Sequence, residues 1–313
     1  MIVGVGELLW DVFPDGRKVA GGAPFNFAFH CHNLGHEAAV VSRVGDDDLG
    51  RELRAEVRRL GLSDEFIQTD PKHPTGTVRV TVDAAGQPSY EIVQNVAWDH
   101  IGWTPELEQL GTTAKAIGFG TLAMRSDSEA SVRELVLKSQ TRNSQALVVY
   151  DINLRADFYQ PSQIEWGLWV SNWRKLNDSE MAVLSGMFNW RWTSDAEVLN
   201  ATLCQDRRDS RVAILTKGAD GLTVYHRWEV DDPGEGSSYF AENLIAEPGI
   251  PAAVVDTVGA GDSFTAAMVC LHLEGRSLKD CARFASHYAA RVCEHRGGTP
   301  PIDRAEVERA AFG

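Results

Sequence analysis

Basic residues are in short supply. The 313-residue chain sets 30 Lys+Arg against 44 Asp+Glu, a formal charge of −14. Nucleic-acid affinity rests on cations displacing the counterions of a phosphate backbone, so with no basic cluster nucleic acid is not expected as a partner. Cysteine is sparse as well: five residues, at 31, 204, 270, 281 and 293, odd in number and without a Cys-x-x-Cys pair. A disulfide framework is therefore not expected, and the thiols are expected to be buried. No continuous apolar run spans a bilayer, and no positive segment precedes the apolar start. Neither a spanning helix nor a signal peptide is expected, and the expected compartment is the cytoplasm. His30, His32 and His36 cluster with Cys31, but no second ligand pair stands at a structural-zinc spacing.

Hydrophobic residues make up 43% of the chain, enough to bury a large core. Apolar runs at residues 2–12, 38–45, 116–120, 146–153 and 211–218 have strand length, and segments of helical period separate them. Residues 48–61 place Leu49, Leu53, Val57 and Leu60 on one face, with Gly61 as a C-cap; residues 277–295 are similarly helical. That alternation indicates an α/β sheet covered by helices. One stretch breaks it. Residues 77–82 alternate with period two, residues 83–88 supply a turn, and residues 89–93 alternate again, a β-hairpin that suits a lid over a site. Residues 11–20 also lack helical period and extend that lid. Residues 234–238 read as an exposed loop. With no linker or repeat, the organisation expected is a single domain, 1–313, with a lid from insertions at approximately 11–20 and 74–97.

The sharpest motif is Asp256-Thr257-Val258-Gly259-Ala260-Gly261-Asp262-Ser263-Phe264, a glycine turn opening into an apolar helix. Gly259, Ala260 and Gly261 present amides at a helix N-terminus, a nest for an anion. A carboxylate there repels a resting phosphate, so Asp262 makes sense as a base that takes a proton from an attacking hydroxyl. The motif lacks the Lys of a nucleotide P-loop. Gly4-Val5-Gly6 lacks the third glycine of a dinucleotide fingerprint.

These residues resemble the ribokinase/PfkB family of sugar kinases. The C-terminal signature is residues 256–264. The N-terminal one begins at Gly21-Gly22-Ala23-Pro24-Phe25-Asn26 and runs on through Leu34-Gly35 to residues 44–50. Asp151-Ile152-Asn153-Leu154-Arg155, Asn177-Asp178-Ser179-Glu180 and Thr216-Lys217-Gly218 lie between in family order. The resemblance implies a ribokinase-like three-layer α/β sandwich, with a mostly parallel central sheet and a small β-sheet lid. It implies ATP and Mg²⁺ as co-substrates and transfer of the γ-phosphoryl to a sugar primary hydroxyl. By the same resemblance Asp11, Gly21, Gly22 and Asn26 bind the sugar, while Asn177, Thr216, Gly218 and Ser286 meet the nucleotide. Glu180 positions Mg²⁺ through water, although Asn177-x-x-Glu180 by itself is also a helix-capping pattern. A K⁺ site is a further implication, its candidates being the carbonyls of Asp256, Val258, Cys293, Arg296 and Gly298. Ala23 after the glycine pair, together with Arg125 and Arg155 in their elements, is similar to the fructokinase branch. That branch implies D-fructose as acceptor; the alternatives are 2-keto-3-deoxygluconate, ribose or a nucleoside, or a non-catalytic sugar- or nucleotide-binding relative. Arg125 suits either an anionic substrate group or a structural salt bridge, and Lys217 either a phosphate or solvent. Trp166, Trp169 and Trp173 suggest an aromatic cluster. Oligomerisation as a homodimer is expected through the exposed edge of the lid.

Overall fold

The computed structural model describes residues 1–82, 88–142, 146–203, 210–232 and 237–313. Among the described residues thirteen strands appear in chain order: β1 (Ile2–Val5), β2 (Leu9–Val12), β3 (Lys18–Gly21), β4 (Ala38–Gly45), β5 (Ile67–Asp70), β6 (Gly76–Val82), β7 (Pro88–Ile92), β8 (Ala116–Gly120), β9 (Leu147–Asp151), β10 (Trp173–Asn177), β11 (Ser210–Thr216), β12 (Leu222–Asp232) and β13 (Ser237–Glu247). The helices are α1 (Ala23–Asn33), α2 (Asp48–Arg59), α3 (Pro105–Thr113), α4 (Ser128–Arg142), α5 (Pro161–Val170), α6 (Asp178–Phe188), α7 (Asp195–Leu203), α8 (Ala260–Leu273), α9 (Leu278–Cys293) and α10 (Arg304–Phe312).

Nine strands form the central sheet in the order β13-β12-β11-β10-β9-β8-β1-β4-β5. Pairing is parallel from β11 to β5, whereas β12 and β13 add an antiparallel hairpin at one edge. Both faces are buried, and alternation sorts the side chains. Ile2, Val40, Ala116, Val149 and Ile214 join α1, α2, α8, α9 and α10 in one core. Val3, Val41, Ile117, Val148 and Ala213 join α3 to α7 in the other. Period two along each strand is thus converted into three layers.

The second sheet has four strands, β3-β2-β6-β7. It corrects the expectation of one strand over residues 2–12. Gly6 breaks that run at φ +141°, where a Cβ would lie 2.7 Å from the Cβ of Ala123. β1 stays in the central sheet and β2 leaves for the small one, so Asp11 belongs to the small sheet. The apolar run looked continuous because residues 2–10 are buried on both sides of the break. The hairpin expected at residues 77–93 is present as β6 and β7, with Val80 opposite Tyr90. Its turn, residues 83–87, lies outside the described residues, as do Cys204 and residues 234–236 of the expected loop. Ser237 and Ser238 belong to β13 rather than to a loop. The three tryptophans do not cluster: Trp173 packs in one core, Trp166 against the other, and Trp169 is exposed.

Candidate functional site

The site assembles at the C-terminal ends of the parallel strands. There the 256–264 segment enters α8, the N-terminus of α1 abuts it, and the small sheet stands above. Gly259 caps α8 at φ +77°. A Cβ there would sit 2.6 Å from the Cα and the carbonyl oxygen of Gly298, so the turn requires glycine for both conformation and space. Ala260 and Gly261 then open the helix, and the Ala260 amide donates to Thr257 O at 3.2 Å.

Asp262 stands in the first turn of α8, and its Oδ2 accepts from Asn26 Nδ2 at 2.8 Å. Sequence reasoning assigned Asn26 to substrate; here its amide holds the carboxylate. Burial and the nearby Asp151 push the Asp262 carboxyl up to about 6, although Asn26, Lys175 and Arg155 pull it down. Asp11 also rises to about 6, through burial and Asp256, with Arg155 opposing. Gly21 lies against Asp11: a Cβ on it would be 3.0 Å from Asp11 Oδ2. Asp11, Gly21, Gly22, Asn26 and Asp262 therefore share one neighbourhood.

A cavity of about 570 Å³ opens on the other side of the nest. Thr216, Gly218, Ala260, Gly261, Ser286 and Cys293 are among its walls. Thr216 and Gly218 of one motif thus meet Ser286, Cys293 and the nest there. Apart from Thr257 its remaining side chains are apolar, chiefly Leu222, Ile250, Pro251, Val254, Phe264 and Ala289, as suits a flat heterocycle. Ser286 Oγ bonds back to Ala282 O at 2.9 Å within α9. Asn177 and Glu180 do not line this cavity. They form a reciprocal capping box: Asn177 Oδ1 accepts from Glu180 N at 2.9 Å, and Glu180 Oε2 accepts from Asn177 N at 2.8 Å. Glu180 Oε1 accepts from Leu154 N at 3.0 Å. Both oxygens accept from amides, and each keeps a second lone pair for a water of hydrated Mg²⁺.

Two of the five K⁺ candidate carbonyls accept hydrogen bonds within the protein. The Cys293 carbonyl accepts from Val255 N at 2.8 Å and Asp256 N at 3.2 Å, which occupies both lone pairs. The Gly298 carbonyl accepts from His30 Nε2 at 2.9 Å. Asp256 instead uses its side chain, taking Val258 N at 3.1 Å and Gly297 N at 2.9 Å. Val258 and Arg296 sit in the same two loops. His30, from the histidine cluster, is a core residue: burial lowers its pKa to about 4, and its Nδ1 meets the Tyr288 hydroxyl at 3.1 Å.

Both ambiguous cations have carboxylate partners. Arg125 Nε donates to Asp99 Oδ1 at 2.6 Å and its guanidinium stacks on Trp98 at 4.0 Å, so the structural salt bridge prevails. Phe158, following the Arg155 element, is a second ring on that guanidinium at 4.9 Å. Lys217 Nζ donates to Asp195 Oδ2 at 2.8 Å. Sequence reasoning missed Glu7 and Lys175. Glu7 Oε1 accepts from Ala23 N at 3.0 Å, and burial pushes its carboxyl up to about 7. Lys175 pairs with Asp151 at 3.1 Å. The signals were a Glu in an apolar run and a Lys in a strand flanked by Trp173 and Leu176.

A family model described as pfkB family carbohydrate kinase matches residues 12–305. The chain is 28% identical to a Pyrococcus horikoshii protein named "Putative sugar kinase PH1459", over 97% of this chain and 94% of that protein. It is 26% identical to a fructokinase of Klebsiella pneumoniae, over 85% and 82% respectively. The fold is similar to that of Arabidopsis thaliana ribokinase complexed with ribose and ATP. The TM-score is 0.80 at 22% identity, covering 100% of this chain and 98% of that one.

Proposed function

The chain belongs to the pfkB family of carbohydrate kinases, and from that premise we propose that it transfers the γ-phosphoryl of ATP to the primary hydroxyl of a neutral sugar. D-fructose, giving fructose 6-phosphate, is the acceptor we favour. The observation that carries this is the placement of Asp262 at the junction of two spaces. On one side the nest opens into the 570 Å³ cavity; on the other lie Asp11, Gly21 and Gly22. ATP bound in the cavity directs its phosphates at Ala260 and Gly261. A sugar held on Asp11 presents its hydroxyl to Asp262, which accepts the proton as the oxygen attacks in line. With a pKa near 6 the carboxylate is ionised at neutral pH and still basic enough to take a proton. The relatives named fructokinase, and the neighbour holding ribose and ATP, support the same class of reaction. Mg²⁺ enters as part of the nucleotide substrate, and Glu180, held at the N-terminus of α6, positions it through water. The small sheet acts as the lid, and its edge strand β7, where Tyr90 is 56% exposed, is the proposed dimer contact.

Charge favours a neutral acceptor over a sugar acid. Asp11, Glu7 and Asp262 all face this region, and exposed Arg155 is the cation whose field reaches all three. The test is ADP release with Mg-ATP across fructose, ribose, glucose, 2-keto-3-deoxygluconate and adenosine, each with and without K⁺. Turnover highest on fructose is the expected result; preference for 2-keto-3-deoxygluconate overturns the neutral-acceptor argument. Replacing Asp11 by Ala should raise the sugar KM about 10²-fold while moving the ATP KM little, because hydroxyls lose a buried partner. Equal effects on both constants remove Asp11 from the sugar site.

A further inference from the structure

Asp262 is faced from several elements. Asn26 on α1 donates to it. Asp151 at the end of β9 raises its pKa, whereas Lys175 on β10 and Arg155 in the loop after β9 lower it. Glu7, between β1 and β2, interacts with it electrostatically. Two of these groups are joined: Lys175 Nζ lies 3.1 Å from Asp151 Oδ1, with side chains only 8% and 14% exposed. The ammonium is also 2.9 Å from where a Cβ on Gly261 would stand, which puts it against the floor of the nest. Thr265, one turn further along α8, holds the other carboxylate oxygen of Asp151 at 3.0 Å. Burial opposes the charge on Lys175, but Asp151 and Glu180 outweigh it and keep the amine protonated.

A buried ion pair is a poor source of stability, since desolvating both charges cancels most of their attraction. Placement under the first turn of α8 points to chemistry instead. We propose that Lys175 is a further residue of the transfer site, its ammonium a fixed positive charge between the base and the anion nest, and that Asp151 is the residue positioning it. The proposal rests on the kinase reading above. During transfer, charge spreads over the equatorial phosphoryl oxygens, and a cation already in place stabilises it without reorganisation. The same charge offsets the burial of Asp262, so the base stays ionised at neutral pH. Asp151 keeps the ammonium from swinging onto Asp262 and quenching it.

The decisive measurement is the titration of Asp262 followed by ¹³C NMR of aspartate-labelled protein, the signal being assigned by its loss in Asp262→Asn. Lys175→Met is expected to raise the Asp262 midpoint by about one pH unit or more. Lys175→Arg restores it, and Asp151→Asn lowers it. Shifts of opposite sign place both charges beside Asp262, and the loss of kcat separates a role in transfer from a structural pair. In parallel, Lys175→Met lowers kcat by about 10- to 10³-fold while the sugar KM changes less than about threefold. A midpoint unmoved in Lys175→Met overturns the proposal. A midpoint that moves while kcat stays near wild type overturns the place of Lys175 in transfer. If Lys175→Met fails to fold, the charge-free pair Lys175→Met/Asp151→Asn replaces it; its kcat should be as low, and wild-type turnover in that double variant overturns the proposal. A wild-type protein that phosphorylates no acceptor defeats the kinase reading instead, and the NMR midpoint still decides whether Lys175 governs Asp262.

Discussion

At the residue scale, Asp262 works against the stability of the fold it sits in. Its carboxyl is raised from the ordinary value of 3.8 to about 6, so the folded state binds the extra proton between those values. The resulting penalty is absent below pH 3.8 and fully present above about 6. Asp262→Asn should therefore be more stable than wild type at pH 8, by about 1–3 kcal/mol, and no more stable near pH 3.5. The same variant should lose about 10²- to 10⁴-fold in kcat while still binding ATP. Thermal unfolding at the two pH values and single-turnover kinetics check both halves; a variant destabilised at pH 8 contradicts the assigned burial cost. In wild type, kcat/KM should rise with pH through an acid limb near 6. The residues of this centre were legible in the sequence where their chemistry is local. Gly259 to Asp262 lie in one turn, and a carboxylate beside an anion nest announces itself. Lys175 and Glu7 were not legible, because their relation to Asp262 exists only once β10 and the β1–β2 break are brought to the N-terminus of α8.

At the scale of the elements, the base of the small sheet is tied to the main body by a helix cap. Asp47 caps α2 by accepting from Gly50 N at 2.8 Å, and it also accepts from Thr75 N at 2.9 Å and Thr75 Oγ1 at 2.6 Å. Burial alone would raise its carboxyl, but the bonds from Thr75 and Gly50 outweigh it and hold it low. Thr75 immediately precedes β6, so one side chain anchors both the start of α2 and the start of the lid hairpin. Asp47→Ala should cost about 1–2 kcal/mol. It should also speed amide exchange at residues 75–80 more than in α9. Uniform exchange across both elements would show that the cap does not hold the hairpin. Helix α2 was legible from its apolar spacing, with Leu53 and Val57 buried and Gly61 at φ +86°. The β6–β7 hairpin was legible from its alternation. The split of residues 2–12 was hidden because a break between two buried strands leaves the hydrophobic pattern uninterrupted. The tryptophan spacing misled for a related reason: Trp166 lies on a helix and Trp173 on a strand facing the other core, so nearness in sequence did not mean a shared face.

For the whole molecule, the net charge of −14 is expressed at the site. Asp262 raises the pKa of Glu7, Asp256 raises that of Asp11 and Asp151 that of Asp262, while Arg155 lowers all three and Lys175 lowers Asp262. A neutral sugar is indifferent to that field, whereas the phosphates of ATP must enter against it and depend on the nest, Lys175 and the accompanying Mg²⁺. Added salt screens the long-range repulsion, with a Debye length falling from about 30 Å at 0.01 M to about 8 Å at 0.15 M. Raising ionic strength across that range at fixed free Mg²⁺ should therefore lower the ATP KM, by about two- to fivefold, and leave the KM of a neutral acceptor unchanged. An anionic acceptor should show the same gain from salt as ATP, so the profile separates the two acceptor classes without knowledge of the sugar. If salt instead weakens ATP binding, attraction at the nest dominates the field of the molecule, and the case for a neutral acceptor loses its electrostatic basis. Composition revealed the sign of this field. It did not reveal that the acidic groups converge on the acceptor side of the nest, which depends on the small sheet bringing Asp11 over the end of α8.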